Sequence, residues 1–190
     1  MNYSDFSLLF GNQISYTSVL YYLFLFSAVL VYYLIPKKHR WMLLLLDSVL
    51  FYYLLFCGRK CMALLALTIF VSWLWGILLK KSEPLSKKIR KLLLVGGVAA
   101  CACPLILMDI SKMTASIMRR EIFENIVIPV GLSFYTLQII AYLIDIYRGR
   151  INPQKNIFKY ALFVSFFPQI IQGPISRYED LSNQLIEGSV

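Results

Sequence analysis

The chain has 190 residues, 59% of them hydrophobic, 15% aromatic and only 15% charged, with a formal net charge of +9. That apolar share exceeds the roughly 45–50% of soluble domains, and it comes in repeated runs near the ~20 residues that cross a bilayer, which argues against a soluble globule. The basic residues sit in short segments between the apolar runs, a pattern of membrane orientation rather than of nucleic-acid binding.

The N-terminal stretch "MNYSDFSLLFGNQISYTS" carries Asp5 and neither Lys nor Arg, so it lacks the positive region of a cleavable signal peptide. The first apolar run, 17–35, is therefore expected to stay as an anchor. The second, 41–56, is short enough to need tilt or local bilayer thinning, and it contains Asp47. A carboxyl at membrane depth is a functional hypothesis by default, and no basic residue in a neighbouring well-defined run offers it a partner. Cys57 and Cys61 flank a short loop before the run 61–79, and Cys101 and Cys103 lie within the run 92–110. With no histidine beside them, all four read as small buried hydrophobes rather than as a metal or redox pair. Gly96-Gly97 reads as a close helix contact.

The run 126–147 holds the first polar pattern. Tyr135, Gln138, Tyr142 and Asp145 follow at i, i+3, i+7 and i+10, a stripe within about 80° of arc on a helix. Amides and carboxylates facing lipid are costly, so this stripe faces either protein partners or a water-filled cavity, and the sequence leaves both open. Asp145 pairs with Arg148 along the helix or reaches the interface.

The last run, 157–172, would cover only about 24 Å of a ~30 Å hydrocarbon core and contains Pro168, so it is not expected to cross as a plain helix. Ser165, Gln169 and Gln172 fall at i, i+4 and i+7. Pro168 removes a backbone donor and crowds the carbonyl of Val164, and Pro174 disfavours helical geometry at Gly173. Backbone groups freed in this way cannot face hydrocarbon. The segment is either a broken helix wrapped by protein or lining a hydrated cavity, or a Pro-kinked packing helix with an exit turn. Arg177 anchors to lipid phosphate or meets an anionic substrate. The fold class is all-α, a polytopic transmembrane helical bundle with a broken or re-entrant C-terminal segment.

Lys and Arg number three in 36–40, six in 80–91 and three in 148–156, twelve in total, against six in the alternate gaps. This asymmetry predicts an extracytoplasmic N-terminus in a multi-pass protein of the inner (plasma) membrane. The single histidine, His39, lies in the charged segment "PKKHR" and is a poor candidate for a catalytic base. Nucleophile elbow, P-loop, zinc spacing and dinucleotide fingerprint are all absent from the sequence.

"PVGLSFYTLQIIAYLIDIYRG", followed closely by "NIFKYALFVSFFPQIIQGPISRYEDL", resembles the signature block of the membrane-bound O-acyltransferases, most of all the bacterial branch of alginate O-acetylation and D-alanyl transfer proteins. The resemblance is strong over residues 126–185 and weaker over 17–79. It implies a helical bundle around a funnel or tunnel. Such a bundle moves a small, acetyl-like group from a cytoplasmic thioester donor, acetyl-CoA or an acyl carrier, to a hydroxyl of an extracytoplasmic polysaccharide or lipid. It implies a catalytic histidine downstream of the stretch matching 166–178, so residues 1–190 are expected to be the N-terminal part of the domain. On that reading they are inactive alone and carry no catalytic residue, metal site or bound cofactor.

The positions that the resemblance marks as structural or tunnel-lining are Tyr135, Gln138, Tyr142, Asp145, Arg148, Gln169, Gln172, Gly173, Pro174 and Arg177. The expected partners are the lipid bilayer, the remaining half of the domain or a second membrane subunit, and an extracytoplasmic acyltransferase partner, with no nucleic acid. A transporter or flippase-like subunit and a non-catalytic membrane scaffold are the alternatives.

Overall fold

The apolar runs fold as helices whose ends differ from the hydropathy limits by a few residues, except where proline or a basic segment intervenes. The computed structural model describes residues 19–36, 39–55, 58–118, 131–172, 177–182 and 185. Every element among them is a helix: α1 Val19–Leu34, α2 Arg40–Leu55, α3 Gly58–Lys81, α4 Lys87–Met118, α5 Leu132–Tyr147, α6 Ile157–Ser165, α7 Phe167–Gln172 and α8 Tyr178–Ser182. The expectations for residues 1–18, for 119–130, for Cys57 and for the side chain of Cys61 fall outside the described residues.

Two helical stretches, Met62–Lys81 and Lys87–Leu107, are long and apolar enough to cross a membrane; Tyr22–Leu34 and Leu132–Tyr147 are shorter apolar helices. Helix α4 extends beyond the apolar run 92–110 expected from the sequence. It starts within the basic segment and continues to Met118, passing Pro104 in its interior. At 32 residues it is about 48 Å long, more than a hydrocarbon core requires.

Helix α5 packs against α3, α4 and α6, while α2 packs against α1, α3, α6 and α7. The core they enclose is rich in aromatic rings, with Tyr135, Tyr142 and Tyr160 almost wholly buried beside Leu79, Leu143 and Val164. Outward faces remain apolar: Phe26 and Leu34 on α1, Leu46 on α2 and Leu92 on α4 are largely exposed. An apolar exterior of this extent requires lipid or further protein. The cysteine expectation holds for Cys101, which is buried, and fails for Cys103, which is exposed. Two residues along a helix turn the side chain about 200°, so one of the pair faces α5's side of the bundle and the other faces outward.

Two local devices set the geometry. Trp75 of α3 lays its indole on Gly97 of α4 and donates its Nε1–H to the carbonyl of Leu93 at 2.8 Å. A Cβ at Gly97 would lie 2.4 Å from Trp75 Cδ1 and 2.6 Å from Nε1, whereas one at Gly96 would meet Trp75 Cζ2 at 3.3 Å. At the end of α5, Gly149 adopts φ 72°, its N–H bonds the carbonyl of Ile146, and the Arg150 N–H bonds that of Asp145. This left-handed cap turns the chain back towards α3.

The three basic segments come to one end of the bundle. Arg90 donates through Nη2 to the Tyr147 carbonyl at 2.6 Å, joining the start of α4 to the end of α5. Trp73 donates through Nε1 to the Gln154 carbonyl at 2.8 Å, and the Lys159 ammonium lies 5.8 Å from the Trp41 ring centre, which ties the start of α6 to the start of α2.

Gly97→Ala is expected to lower the unfolding free energy in detergent by about 1–3 kcal/mol, because the indole must move and its bond to Leu93 must break. Gly96→Ala is expected to cost clearly less, and thermal unfolding of the two variants side by side checks the ranking.

Candidate functional site

A continuous helix through 157–172 would place the ring of Pro168 against the carbonyl of Val164. The chain avoids this by leaving helical geometry at Phe166 (φ −58°, ψ 105°) and restarting at Phe167. Pro168 then falls in the first turn of α7, where a missing N–H costs nothing. The break leaves two groups that would have bonded each other in an unbroken helix, the Phe163 carbonyl and the Phe167 N–H. Side chains from two other helices recapture them. Gln138 of α5 donates through Nε2 to the Phe163 carbonyl at 3.1 Å, and the Phe167 N–H donates to Ser48 Oγ of α2 at 3.4 Å. The Ser48 hydroxyl donates in turn to the Leu44 carbonyl at 2.7 Å. Gln138 Nε2 also lies 3.4 Å from Gln169 Oε1, so the amide of the α5 stripe meets the amide of the broken segment.

An aromatic layer lies beside this junction. The ring centre of Tyr142 is 4.9 Å from that of Tyr160 and 5.0 Å from that of Tyr178, and Phe163 stands edge-on to Tyr178 at 4.9 Å. Each hydroxyl has a partner. Tyr160 donates to Ser72 Oγ of α3 at 2.9 Å, the Tyr142 oxygen accepts the Gln154 N–H at 2.9 Å, and the Tyr178 oxygen accepts from Gln154 Nε2 at 2.9 Å. Gln154 thus spends its backbone N–H, its carbonyl and its amide nitrogen on three different helices, while its Oε1 accepts the Asn156 N–H at 3.1 Å. Asn156 caps α6 by accepting the N–H groups of Phe158 and Lys159.

Of the residues singled out in the sequence, Tyr135, Gln138, Tyr142, Asp145 and Gln169 are buried. Gln138 meets Gln169 directly, and Tyr142 connects to the end of the chain through Gln154. Asp145 pairs with Arg150 at 3.5 Å, not with Arg148. The helix ends at Tyr147, so Arg148 becomes its exposed cap and the glycine turn brings Arg150 back over the carboxylate. Arg148 and Arg177 are exposed. Gln172 closes α7 through its backbone, while its side chain, Gly173 and Pro174 lie outside the described residues. Ser165 donates to the Ala161 carbonyl at 2.8 Å. The break at Phe166 means that its spacing to Gln169 no longer fixes a shared helical face.

Sequence reasoning missed Ser48, Gln154, Ser72 and Tyr178. Ser48 adjoins Asp47 in an apolar run, which was a usable signal; Gln154 sits in a connection without periodicity and gave none. Asp47 itself is buried, and its Oδ2 has no hydrogen-bond partner among the described residues.

The described residues thus form a buried, hydrogen-bonded seam of tyrosines and amides around a helix break, with a basic rim at one end. Part of the chain is similar to proteins named for O-acetylation. The chain is similar to the probable alginate O-acetylase AlgI of Pseudomonas syringae pv. tomato, 38% identical over 74 residues, which is 39% of this chain and 14% of that protein. It is similar to the Pseudomonas aeruginosa protein of the same name, 42% identical over 67 residues, 35% of this chain and 13% of that protein. It is also 36% identical over 84 residues to the peptidoglycan O-acetyltransferase of Helicobacter pylori, 32% of this chain and 16% of that protein. The chain therefore resembles the membrane-bound O-acyltransferases over a partial region, and the matched stretches span about a seventh of these relatives' length. No protein-family model and no solved structure matches it.

Gln138→Leu is expected to cost about 1–2 kcal/mol of stability in detergent, since it strands the Phe163 carbonyl, and Gln169→Leu less, because that bond survives. A double-mutant cycle between the two positions should give a non-zero coupling; a coupling of zero would mean that the amides do not act together. Asp47→Leu is expected to stabilise the chain by about 1–2 kcal/mol by removing a desolvated oxygen with no donor. Loss of stability in that variant would reveal a partner for the carboxyl.

Proposed function

We propose that this chain forms part of the membrane-embedded wall of an O-acyltransferase. On this reading the enzyme transfers a small, acetyl-like group from a thioester donor at the cytoplasmic face to a hydroxyl of an extracytoplasmic polysaccharide or lipid. The observation that carries the reading is the identity of 36–42% to proteins named for O-acetylation of alginate and peptidoglycan. The supporting geometry is the break at Phe166, repaired by Gln138 and Ser48, which keeps a polar seam at membrane depth without exposing backbone to lipid.

The chain is read as multi-pass in the inner membrane with its basic end cytoplasmic and its N-terminus outside, in keeping with the positive-inside rule. In the proposed enzyme Tyr135, Gln138, Tyr142, Asp145 and Gln169 shape and stiffen the wall, and Arg148, Gln172, Gly173, Pro174 and Arg177 continue it towards both ends. Acid–base chemistry on the acceptor hydroxyl needs a group within hydrogen-bond reach of it in a defined pocket. The only histidine, His39, is exposed beside the start of α2, so the base is proposed to come from protein beyond residues 1–190. Acetyl-CoA or an acyl carrier as donor, and a second membrane subunit or extracytoplasmic acyltransferase as partner, complete the reading. A dry wall then protects the thioester from hydrolysis.

The test is complementation. The chain alone, given labelled acetyl-CoA and alginate or peptidoglycan fragments, is expected to transfer nothing. Co-expressed with an alginate O-acetylase lacking the matching stretch, it is expected to restore transfer, and Gln138→Leu is expected to lower the restored rate about tenfold or more, as one lost supporting hydrogen bond would. A membrane-inserted chain that restores no transfer would overturn the acyltransferase reading and leave a transporter-like subunit or a scaffold.

A further inference from the structure

A cavity of about 460 Å³ opens at the basic end, lined by Ile77, Lys80, Lys81, Asn152, Pro153 and Lys155. It lies between the last turns of α3 and the connection from α5 to α6, outside the seam described above. Its walls are fixed. Trp73, one turn before Ile77, holds the Gln154 carbonyl, and Tyr142 holds the Gln154 N–H, so the segment carrying Asn152, Pro153 and Lys155 is clamped against α3.

The charge around the cavity is unbalanced. Lys80 pairs with Glu83 at 2.8 Å, while Lys81 and Lys155 have no carboxylate within ion-pair distance among the described residues. Both are exposed, so their ammonium groups are hydrated and available. Asn152 adds an amide, and Ile77 and Pro153 supply an apolar floor. On the same face of α3 as Ile77 and Lys81, Leu74 and Leu78 are 42% exposed, which continues the cavity into an apolar strip. Trp41, Trp73 and Tyr147 stand at this end, and aromatic side chains of this type mark the level of lipid headgroups.

We infer that this cavity binds the headgroup of an anionic phospholipid, with the phosphate between Lys81 and Lys155 and an acyl chain along Leu74 and Leu78. Unpaired ammonium groups beside an apolar strip, at the depth where phosphates are concentrated, match a charged head on a hydrocarbon tail better than a freely soluble anion, which has no use for the strip. The inference rests on the membrane reading proposed above and is independent of the acyl-transfer chemistry.

The probes are phosphatidylglycerol and phosphatidylcholine, titrated onto the detergent-solubilised 190-residue chain and counted as bound adducts by native mass spectrometry. Phosphatidylglycerol is expected to bind more tightly than phosphatidylcholine. Lys81→Gln/Lys155→Gln is expected to weaken it about 25-fold, from roughly fivefold per lysine. Lys87→Gln/Lys88→Gln, which removes the same charge at the same end but outside the cavity, is expected to leave it unchanged. Equal weakening by both double variants would reduce the effect to diffuse attraction and overturn the site. Displacement of the lipid by millimolar inorganic phosphate would assign the lysines to a soluble phosphate ester instead, and it overturns the lipid assignment. Extraction of the chain from membranes by alkaline carbonate would sink the membrane reading itself; retention without preference for phosphatidylglycerol would sink only the lipid site.

Discussion

The structure depends on how a helix break inside an apolar helical bundle is kept from leaving its backbone groups unpaired. Pro168 forbids one continuous helix over 157–172, and the chain responds two residues earlier, at Phe166. What makes the break tolerable is that the Phe163 carbonyl and the Phe167 N–H each find a side chain from a different helix, Gln138 from α5 and Ser48 from α2. An unpaired group of either kind would cost more than one ordinary hydrogen bond returns, because the apolar interior offers no substitute partner. The polar residues of the apolar runs are therefore not isolated irregularities; two of them are the counterparts of a break located elsewhere in the chain.

The same logic organises the aromatic layer. Three tyrosines bury large apolar rings and leave a hydroxyl each to be satisfied, and the partners come from Ser72 on α3 and from the connection carrying Gln154. Rings supply packing area, while the hydroxyls fix which neighbours are accepted. Tyr178 is the farthest link, since it brings the short helix α8 onto α6 through Phe163 and onto the connection through Gln154. The last described helix is held by the same aromatic layer that lies beside the break.

Periodicity made a good part of this legible in the sequence. Hydropathy located α1, α2 and α3 closely, and the spacing of Tyr135, Gln138, Tyr142 and Asp145 marked the face of α5 that is buried. Pro168 announced that the last run would not be one helix. Contacts set by tertiary geometry stayed hidden. Of the two readings of Asp145, pairing with Arg148 or reaching the interface, the first lay two residues short of the actual partner, because a glycine cap turns the chain and brings Arg150 rather than Arg148 over the carboxylate. Cys103 was read as buried from the polarity of its neighbours, although its position places it on the opposite side of α4 from Cys101. The continuation of α4 to Met118 was invisible because polar residues past Leu107 end the hydropathy signal without ending the helix. Gln154 carries no pattern at all; its importance comes from three helices converging on one connection.

That convergence links the basic end to the broken segment. Pro153 and Lys155, which line the cavity at the rim, are the immediate neighbours of Gln154, whose hydrogen bonds reach Trp73, Tyr142 and Tyr178. Tyr142 and Tyr178 both pack on Phe163, and Phe163 presents the carbonyl that Gln138 covers. Displacing the connection would break bonds to three helices at once and loosen the ring on which the repaired backbone group sits. The cheapest arrangement is the one in which rim and break hold their positions together, so the polar seam is stiff because both of its ends are tied.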